Sequence, residues 1–150
     1  MIAYPDTSFL CALYRRQVNS QAAAAHFQAM PEAVHVSSLL LYELRQSLRF
    51  HVWLHAQNSR QGFGQTECDQ ALAAVQSDLD TGTVVIVPAE WADVHQIAER
   101  LSNAYTKTEG HRAFDVLHVA TALHLGAKEF LSFDDRQRKL ARAEGLKVGP

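Results

Sequence analysis

The 150-residue sequence predicts an α/β fold, in which a short and mostly parallel sheet of about five strands is flanked by helices. Two patterns support this prediction, namely strand-like apolar runs and the helix-like segments that separate them. Short apolar runs alternate with longer segments in which apolar residues recur every three or four positions. Strands that alternate with helices are joined by crossover connections, which make neighbouring strands parallel. Because no repeat, low-complexity tract or linker interrupts the pattern, a single domain over residues 1–150 is expected.

Five short runs are predicted to form the strands, since they are rich in β-branched and aromatic residues. They are IAY at 2–4, VHVS at 34–37, TVVIV at 83–87, EFLS at 129–132 and LKV at 146–148. Pro5 has no backbone N–H and is expected to end the hydrogen-bonding ladder of the first strand. The carboxyl ends of parallel strands share one edge, and ligands bind in the crevice outside it. Residues that directly follow strands are therefore candidates for a ligand site.

The segments between the strands are predicted to be helices. They are residues 8–16, 22–30, 39–55, 70–79, 91–101, 114–125 and 136–144. The longest carries one apolar stripe at intervals of four residues, formed by Leu40, Leu44, Leu48 and Val52. The glycine-containing segment 57–66 is predicted to be a loop between two antiparallel helices.

Composition and charge exclude several classes of protein. The net charge of −2 does not by itself indicate a nucleic-acid partner. Positive charge is nevertheless concentrated near the end of the chain, which indicates either a solvated helix face or a basic surface. No cysteine belongs to a CxxC pair, so a zinc knuckle is excluded. With no signal-peptide pattern and no apolar run near the roughly 18 residues that span a bilayer, a soluble cytoplasmic protein is expected.

Several acids are predicted to lie near the functional edge of the sheet. Asp6 follows the first strand, and Asp134 and Asp135 follow the fourth. Asp115 lies in the first turn of a predicted helix, and Glu43 flanks the apolar stripe. Converging carboxylates repel and raise each other's pKa unless a cation neutralises them. Because Mg²⁺ and Mn²⁺ prefer hard oxygen ligands, the sequence predicts a site for Mg²⁺ (or Mn²⁺) at this edge.

Such a site suits phosphoryl chemistry, because a divalent cation polarises a phosphoryl oxygen and lowers the pKa of a bound water. The hydroxyls of Ser8 and Ser132 are suited to orienting the acids. His111 and Arg112 precede Asp115 and are candidates for a phosphate contact, with a solvent-facing helix start as the alternative. His118, one helical turn past Asp115, is interpreted as a satisfied buried histidine.

Each acid also has a purely structural alternative. Asp6 and Asp134 can cap the helices that follow them. Asp115 can be favoured by the dipole of its helix. Glu43 can pair with a neighbouring arginine, either Arg45 or Arg49, at the surface. The sequence alone leaves these alternatives open.

Four segments together resemble a PIN domain, and most of all the VapC-type toxins of bacterial toxin–antitoxin pairs. They are DTSFL at 6–10, LYELRQSL at 41–48, FDVLHVATAL at 114–123 and FLSFDDRQRKLA at 130–141. The resemblance covers essentially the whole chain, in order. It implies a PIN-like three-layer fold and a metal-dependent ribonuclease that is inhibited by a cognate antitoxin and is usually a homodimer.

The resemblance also implies roles for individual residues. The four family acids, which are catalytic and bind the metal, match Asp6, Glu43, Asp115 and Asp134. Ser132 matches the hydroxyl that precedes the fourth acid by two residues, whereas Asp135 has no defined role. Arg136 and Arg138 are candidates for holding the RNA backbone. The apolar helices at 39–55 and 68–80 are candidates for the antitoxin groove, with core packing as the alternative.

Other classes of protein fit the sequence less well. A receiver domain needs an aspartate on its third strand, and TVVIVP at 83–88 has none. A haloacid-dehalogenase-like phosphatase needs DxD after the first strand, where Ser8 stands instead of the second Asp. A housekeeping RNA-processing PIN nuclease and a non-catalytic binding module with the same fold stay as alternatives.

Overall fold

The computed structural model describes residues 3–150 and confirms the predicted α/β architecture. This part of the chain contains five strands, each of three residues. They are β1 (Ala3–Pro5), β2 (Val34–Val36), β3 (Val84–Ile86), β4 (Glu129–Leu131) and β5 (Lys147–Gly149). Each strand falls on a run that the sequence predicts, although Ile2, which was included in the first run, lies outside the described residues.

All strand pairs in the described residues are parallel, as predicted. A three-stranded sheet has the order β1-β4-β5, and β2 pairs with β3 in a second sheet. β1 and β2 lie next to each other, and the hydroxyls of Tyr4 and Ser37 are hydrogen-bonded at 2.8 Å across this boundary. The strands therefore form one layer that is divided between β1 and β2.

Pro5 does not end the ladder between β1 and β4, so that prediction is wrong. Pro5 pairs with Leu131 in the register, and the next residue, Asp6, donates its N–H to Leu131 O at 2.9 Å. Successive N–H groups of a strand point to opposite sides, so position 5 faces the β2 side. Because proline has no N–H to offer there, β1 cannot donate a ladder bond to β2 at this position.

The predicted helices are all present in the described residues. They are α1 (Thr7–Tyr14), α2 (Ser20–Ala29), α3 (Ser38–Gln57), α4 (Gln65–Asp80), α5 (Trp91–Leu101), α7 (Ala113–His124) and α8 (Asp135–Ala143). A π-helical turn (Ser102–Thr106) and the short α6 (Lys107–Glu109) extend α5 and were not predicted, because a single π turn has no periodicity of its own. None of the helices between residues 3 and 150 is both long and apolar enough to cross a bilayer.

The core lies between the strands and the helices that cover them. Leu40, Leu44 and Leu48 of the predicted α3 stripe are almost completely buried, so most of this stripe is core. The helix α7 buries small residues, including Ala120 and Ala122, and packs closely against α5. The first turn of α7 lies near the carboxyl end of β4, since Asp115 contacts Gln137 of α8, the helix that follows β4.

Candidate active site

Asp6 is the most buried of the predicted acids, with no solvent-exposed surface. Its Oδ1 accepts hydrogen bonds from the Phe9 N–H at 2.9 Å and the Ser8 hydroxyl at 2.7 Å. Its Oδ2 accepts one from the Ser132 hydroxyl at 2.5 Å. Burial raises the pKa of Asp6, while these hydrogen bonds act in the opposite direction. Asp6 thus caps α1 and is held by both of the predicted serines.

Asp134 occupies the equivalent position after β4 and caps α8. Its Oδ1 accepts a hydrogen bond from the Gln137 N–H at 2.9 Å. Its own N–H donates to the Ser132 hydroxyl at 3.0 Å. One hydroxyl, on Ser132, therefore contacts both acids that follow strands, which places Asp6 and Asp134 at one edge of the sheet as predicted.

Glu43 is held by contacts that the sequence did not predict. Its Oε2 accepts hydrogen bonds from the Thr7 hydroxyl and from His118 Nε2. The alternative of a surface pair with arginine is not found among residues 3–150, since Arg45 donates to Gln76 instead. Although burial acts to raise the pKa of Glu43, the hydrogen bonds and charge of His118 lower it overall.

His118 is buried as expected, with 1% of its surface exposed, but it is only partly satisfied. Its Nε2 contacts Glu43, whereas its Nδ1 has no hydrogen-bond partner in the part of the chain that the structure describes. The sequence contains one indication that His118 lies near the acids. Residues three apart share a helix face, so His118 lies on the same face of α7 as Asp115.

Asp115 is close enough to the other acids to be affected by their charge. Its pKa is raised first by burial, then by the negative charge of Asp134, with a smaller contribution from Glu43. Its Oδ1 accepts a hydrogen bond from Gln137 Nε2 at 3.2 Å. Gln137 was not predicted, although Asp134-x-x-Gln137 has the spacing of a helix-capping box. In this structure the Gln137 side chain contacts Asp115 instead of the backbone of its own helix.

Two of the predicted basic residues lie beside the acids. Arg112 and Arg136 are exposed and line a cavity of about 350 Å³ together with Asp115, Asp134 and Asp135. The positive charge of Arg112 acts to lower the pKa of Asp115, against the larger effect of burial. This surface has the mixed charge expected where phosphate and a cation bind together.

The other two basic candidates have structural contacts instead. Arg138 Nη1 donates to Ser132 O at 2.6 Å and to Gly149 O at 2.8 Å, which ties α8 to β4 and β5. His111 is buried and its Nε2 pairs with Glu109 Oε2 at 2.8 Å. The predicted phosphate contact is therefore kept for Arg112 and Arg136 only.

The free carboxylate oxygens determine whether a cation fits. In each of Glu43, Asp115 and Asp134, one carboxylate oxygen accepts a hydrogen bond. The other oxygen makes no hydrogen bond to any residue between 3 and 150. Within the same range, no three His, Cys, Asp or Glu side chains are close enough to form a complete metal site. Mg²⁺ keeps several waters and is usually bound through one or two carboxylates. The hard oxygen donors present therefore fit Mg²⁺ or Mn²⁺.

The sequence matches one known family over most of its length. The family model described as PIN domain matches residues 3–143. The chain belongs to the PIN domain family. The strand β5, which completes the three-stranded sheet of this PIN domain, follows the matched residues. No match was found among curated proteins.

Solved structures share the fold of this PIN domain at low sequence identity. The sarcin–ricin-loop-cleaving toxin VapC20 of Mycobacterium tuberculosis is 19% identical, with a TM-score of 0.70 and 99% of each chain covered. VapBC2 of Rickettsia felis, bound to a promoter DNA fragment, is 14% identical, with a TM-score of 0.67 and coverage of 99% of this chain and 97% of that one. VapBC-1 of nontypeable Haemophilus influenzae is 17% identical, with a TM-score of 0.64 and coverage of 99% of this chain and 96% of that one. These likenesses establish the fold.

Proposed function

We propose that this PIN domain is a metal-dependent endoribonuclease that hydrolyses RNA phosphodiester bonds as the toxin of a toxin–antitoxin pair. One observation carries the proposal. Four carboxylates from different parts of the chain, on Asp6, Glu43, Asp115 and Asp134, lie at the carboxyl edge of the strands. Three of them present an unbonded oxygen, and exposed arginines lie beside two of these.

The four acids would have different roles in binding the cation. One or two of the unbonded carboxylate oxygens on Glu43, Asp115 and Asp134 would hold the cation, and waters would complete its coordination. The buried Asp6, fixed by three hydrogen bonds, would complete the negative field that attracts it. When bound, a divalent cation supplies charge neutralisation at the phosphoryl oxygens and a more acidic water.

Arg112 and Arg136 would position the RNA. Both are exposed at the rim of the cavity that contains Asp115 and Asp134. A guanidinium binds phosphate oxygens in a bidentate manner, so the two arginines would align the scissile phosphate with the acids. They would contribute affinity without base specificity.

The relatives support RNA as the substrate class and an antitoxin as the partner. The M. tuberculosis relative is named for cleaving the sarcin–ricin loop, and the R. felis and H. influenzae relatives are VapBC assemblies. The proposed antitoxin surface lies along α3 and α4. Because four leucines of α3 are buried in the core, the apolar contacts of this surface would come from exposed aromatic residues. Phe50 and Trp53 are examples, and their ring centroids are 5.3 Å apart. A homodimer and a cytoplasmic location stay predictions.

The experiment that tests the activity is cleavage of total bacterial RNA by the purified full-length chain. It compares Mg²⁺, Mn²⁺ and EDTA for the unmodified protein and for Asp115→Asn. Asp93→Asn is a matched control, since Asp93 also lies in the first turn of a helix but is exposed and on α5. We expect cutting that needs metal, is lost in Asp115→Asn and is kept in Asp93→Asn.

Two results would contradict the proposal. Cutting by Asp115→Asn at the rate of the unmodified protein would show that the acids do not form the site. A folded protein that cuts no RNA with either metal would favour a binding module.

Co-expression with the product of an adjacent gene tests the partner, and formation of a complex that no longer cuts RNA is the expected result.

A further inference from the structure

Gln137 contacts two of the proposed metal-binding acids, one through its backbone and one through its side chain. It belongs to the first turn of α8 and is 4% exposed. Its backbone N–H donates to Asp134 Oδ1 at 2.9 Å, and its Nε2 donates to Asp115 Oδ1 at 3.2 Å. One residue therefore contacts carboxylates on α7 and at the start of α8, which are 19 positions apart in the sequence.

Burial of the Gln137 amide is energetically unfavourable, because one of its two polar atoms has no hydrogen-bond partner among residues 3–150. A buried polar group without a partner costs roughly 1–3 kcal/mol, and Gln137 Oε1 has no hydrogen-bond partner among residues 3–150. An apolar side chain would fill the same volume between α7 and α8 without this cost. The amide donor therefore serves something other than packing, and its only side-chain bond in the described residues goes to Asp115.

A neutral donor has a specific advantage at this position. Asp115 and Asp134 repel each other, which contributes to the raised pKa of Asp115. A lysine or arginine between them would neutralise the pair and compete with a cation. An amide N–H holds the carboxylate in one orientation and leaves its negative charge available. Gln137 uses the held oxygens of both acids, so their second oxygens stay unbonded within residues 3–150.

From this geometry we propose that Gln137 is a positioning residue. It fixes the Asp115 and Asp134 carboxylates relative to each other so that the two together bind a divalent cation. The inference rests on the proposed function, because it assigns a role at the same site. Partners that orient metal ligands typically change metal affinity by about 10–100-fold when they are removed.

The test is Mn²⁺ binding to the purified full-length chain, measured by titration calorimetry without RNA. Gln137→Met keeps the length of the side chain and removes the amide. Gln137→Asn keeps an amide that is one methylene too short for the 3.2 Å contact, and it serves if the Met variant does not fold. Gln96→Met, at an exposed position of α5, controls for the substitution itself. We expect both Gln137 variants to bind Mn²⁺ about 10–100-fold more weakly and Gln96→Met to bind normally.

A second measurement separates positioning from folding. In RNA cleavage, the Gln137 variants should need more Mn²⁺ for half-maximal rate yet approach the normal rate at saturating metal. Unchanged Mn²⁺ affinity of the Gln137 variants overturns the inference. If their melting temperature falls while their Mn²⁺ affinity stays unchanged, Gln137 contributes to folding only. Failure of the proposed function is recognised separately, because the unmodified protein would then neither bind Mn²⁺ nor cut RNA.

Discussion

The imidazole of His118 contacts the carboxylate of Glu43, and the hydroxyl of Thr7 reaches the same carboxylate oxygen. These residues come from α7, α3 and α1, so a single carboxylate oxygen joins three helices at the candidate site. The contact fixes the Glu43 side chain between the helices, while its second carboxylate oxygen makes no hydrogen bond within residues 3–150. If Glu43 binds the metal as proposed, one side chain contributes both to stability and to metal binding.

The contact between Glu43 and His118 should be measurable as a coupling free energy. A double-mutant cycle of Glu43→Ala and His118→Ala, by urea unfolding at neutral pH without metal, should give about 1 kcal/mol, because solvent partly screens this pair. The fold lowers the pKa of Glu43. Its contribution is therefore present above the ordinary glutamate pKa and is lost as the pH falls through the lowered value.

The control cycle for this coupling pairs Glu43→Ala with His95→Ala. His95 is exposed on α5 and has no hydrogen bond to Glu43 among the described residues. This cycle should be additive within about 0.5 kcal/mol. Additivity of the Glu43 and His118 variants as well would show that their contact does not stabilise the fold.

Replacing Asp115 should stabilise the protein in the absence of metal. The fold raises the pKa of Asp115, so its ionised form reduces stability at neutral pH. Asp115→Asn should therefore raise the melting temperature in EDTA at about pH 7.5, and the gain should disappear below the ordinary aspartate pKa of about 4. Adding Mg²⁺ should raise the melting temperature of the unmodified protein more than that of the variant.

Asp93→Asn provides the comparison for the stability of Asp115→Asn. Asp93 occupies an exposed first-turn position, where losing a carboxylate removes a favourable interaction with the helix dipole, worth about 0.3–1 kcal/mol. Its melting temperature should fall slightly or stay the same. If Asp115→Asn also lowered the melting temperature in EDTA, repulsion among the acids would not be the dominant effect there.

The arginines of the last helix should differ in what they do. Arg136 is exposed beside the acids, whereas Arg138 donates to two backbone carbonyls. Arg112→Ala and Arg136→Ala should each weaken RNA binding and reduce the slope of log affinity against log salt by about 1. Arg138→Ala should keep that slope and instead lower the free energy of unfolding by about 1–3 kcal/mol.

Fluorescence anisotropy with a short RNA at several salt concentrations measures the slopes, and urea unfolding measures stability. To separate binding from cleavage, the titrations use the Asp115→Asn background. An unchanged salt slope in Arg112→Ala and Arg136→Ala would place the RNA on another surface. A reduced slope in Arg138→Ala would show that its backbone contacts do not exclude a phosphate contact.

Gly62 should be essential for the loop that joins α3 to α4. Its φ of +61° is in the left-handed region, and an added Cβ would lie 2.0 Å from His51 O. Gly62→Ala should therefore displace the loop from α3, break the Phe63 N–H bond to His51 O and lower the free energy of unfolding by about 2–3 kcal/mol. Gly64→Ala is the control, since a Cβ added there would have no atom within 4 Å, and equal loss in the two variants would contradict this explanation.

Most of the fold could be predicted because the periods of the apolar residues reflect the geometry of each element. The interval of four residues through Leu40, Leu44 and Leu48 identifies α3, and its buried face is where the pattern places it. The division of the strand layer beside Pro5 could not be predicted. It depends on which side of β1 faces β4, and that is a property of the assembled sheet.

The sequence by itself also determined where the acids would be found, because strands that run in parallel bring their carboxyl ends to one edge. Asp6 and Asp134 follow directly from that rule. Only the tertiary structure decided how the acids are held. The contacts of His118 with Glu43 and of Gln137 with Asp115 join residues that are far apart in the chain. Such contacts depend on how the helices pack against one another, and local sequence patterns do not specify which side chains meet across that packing.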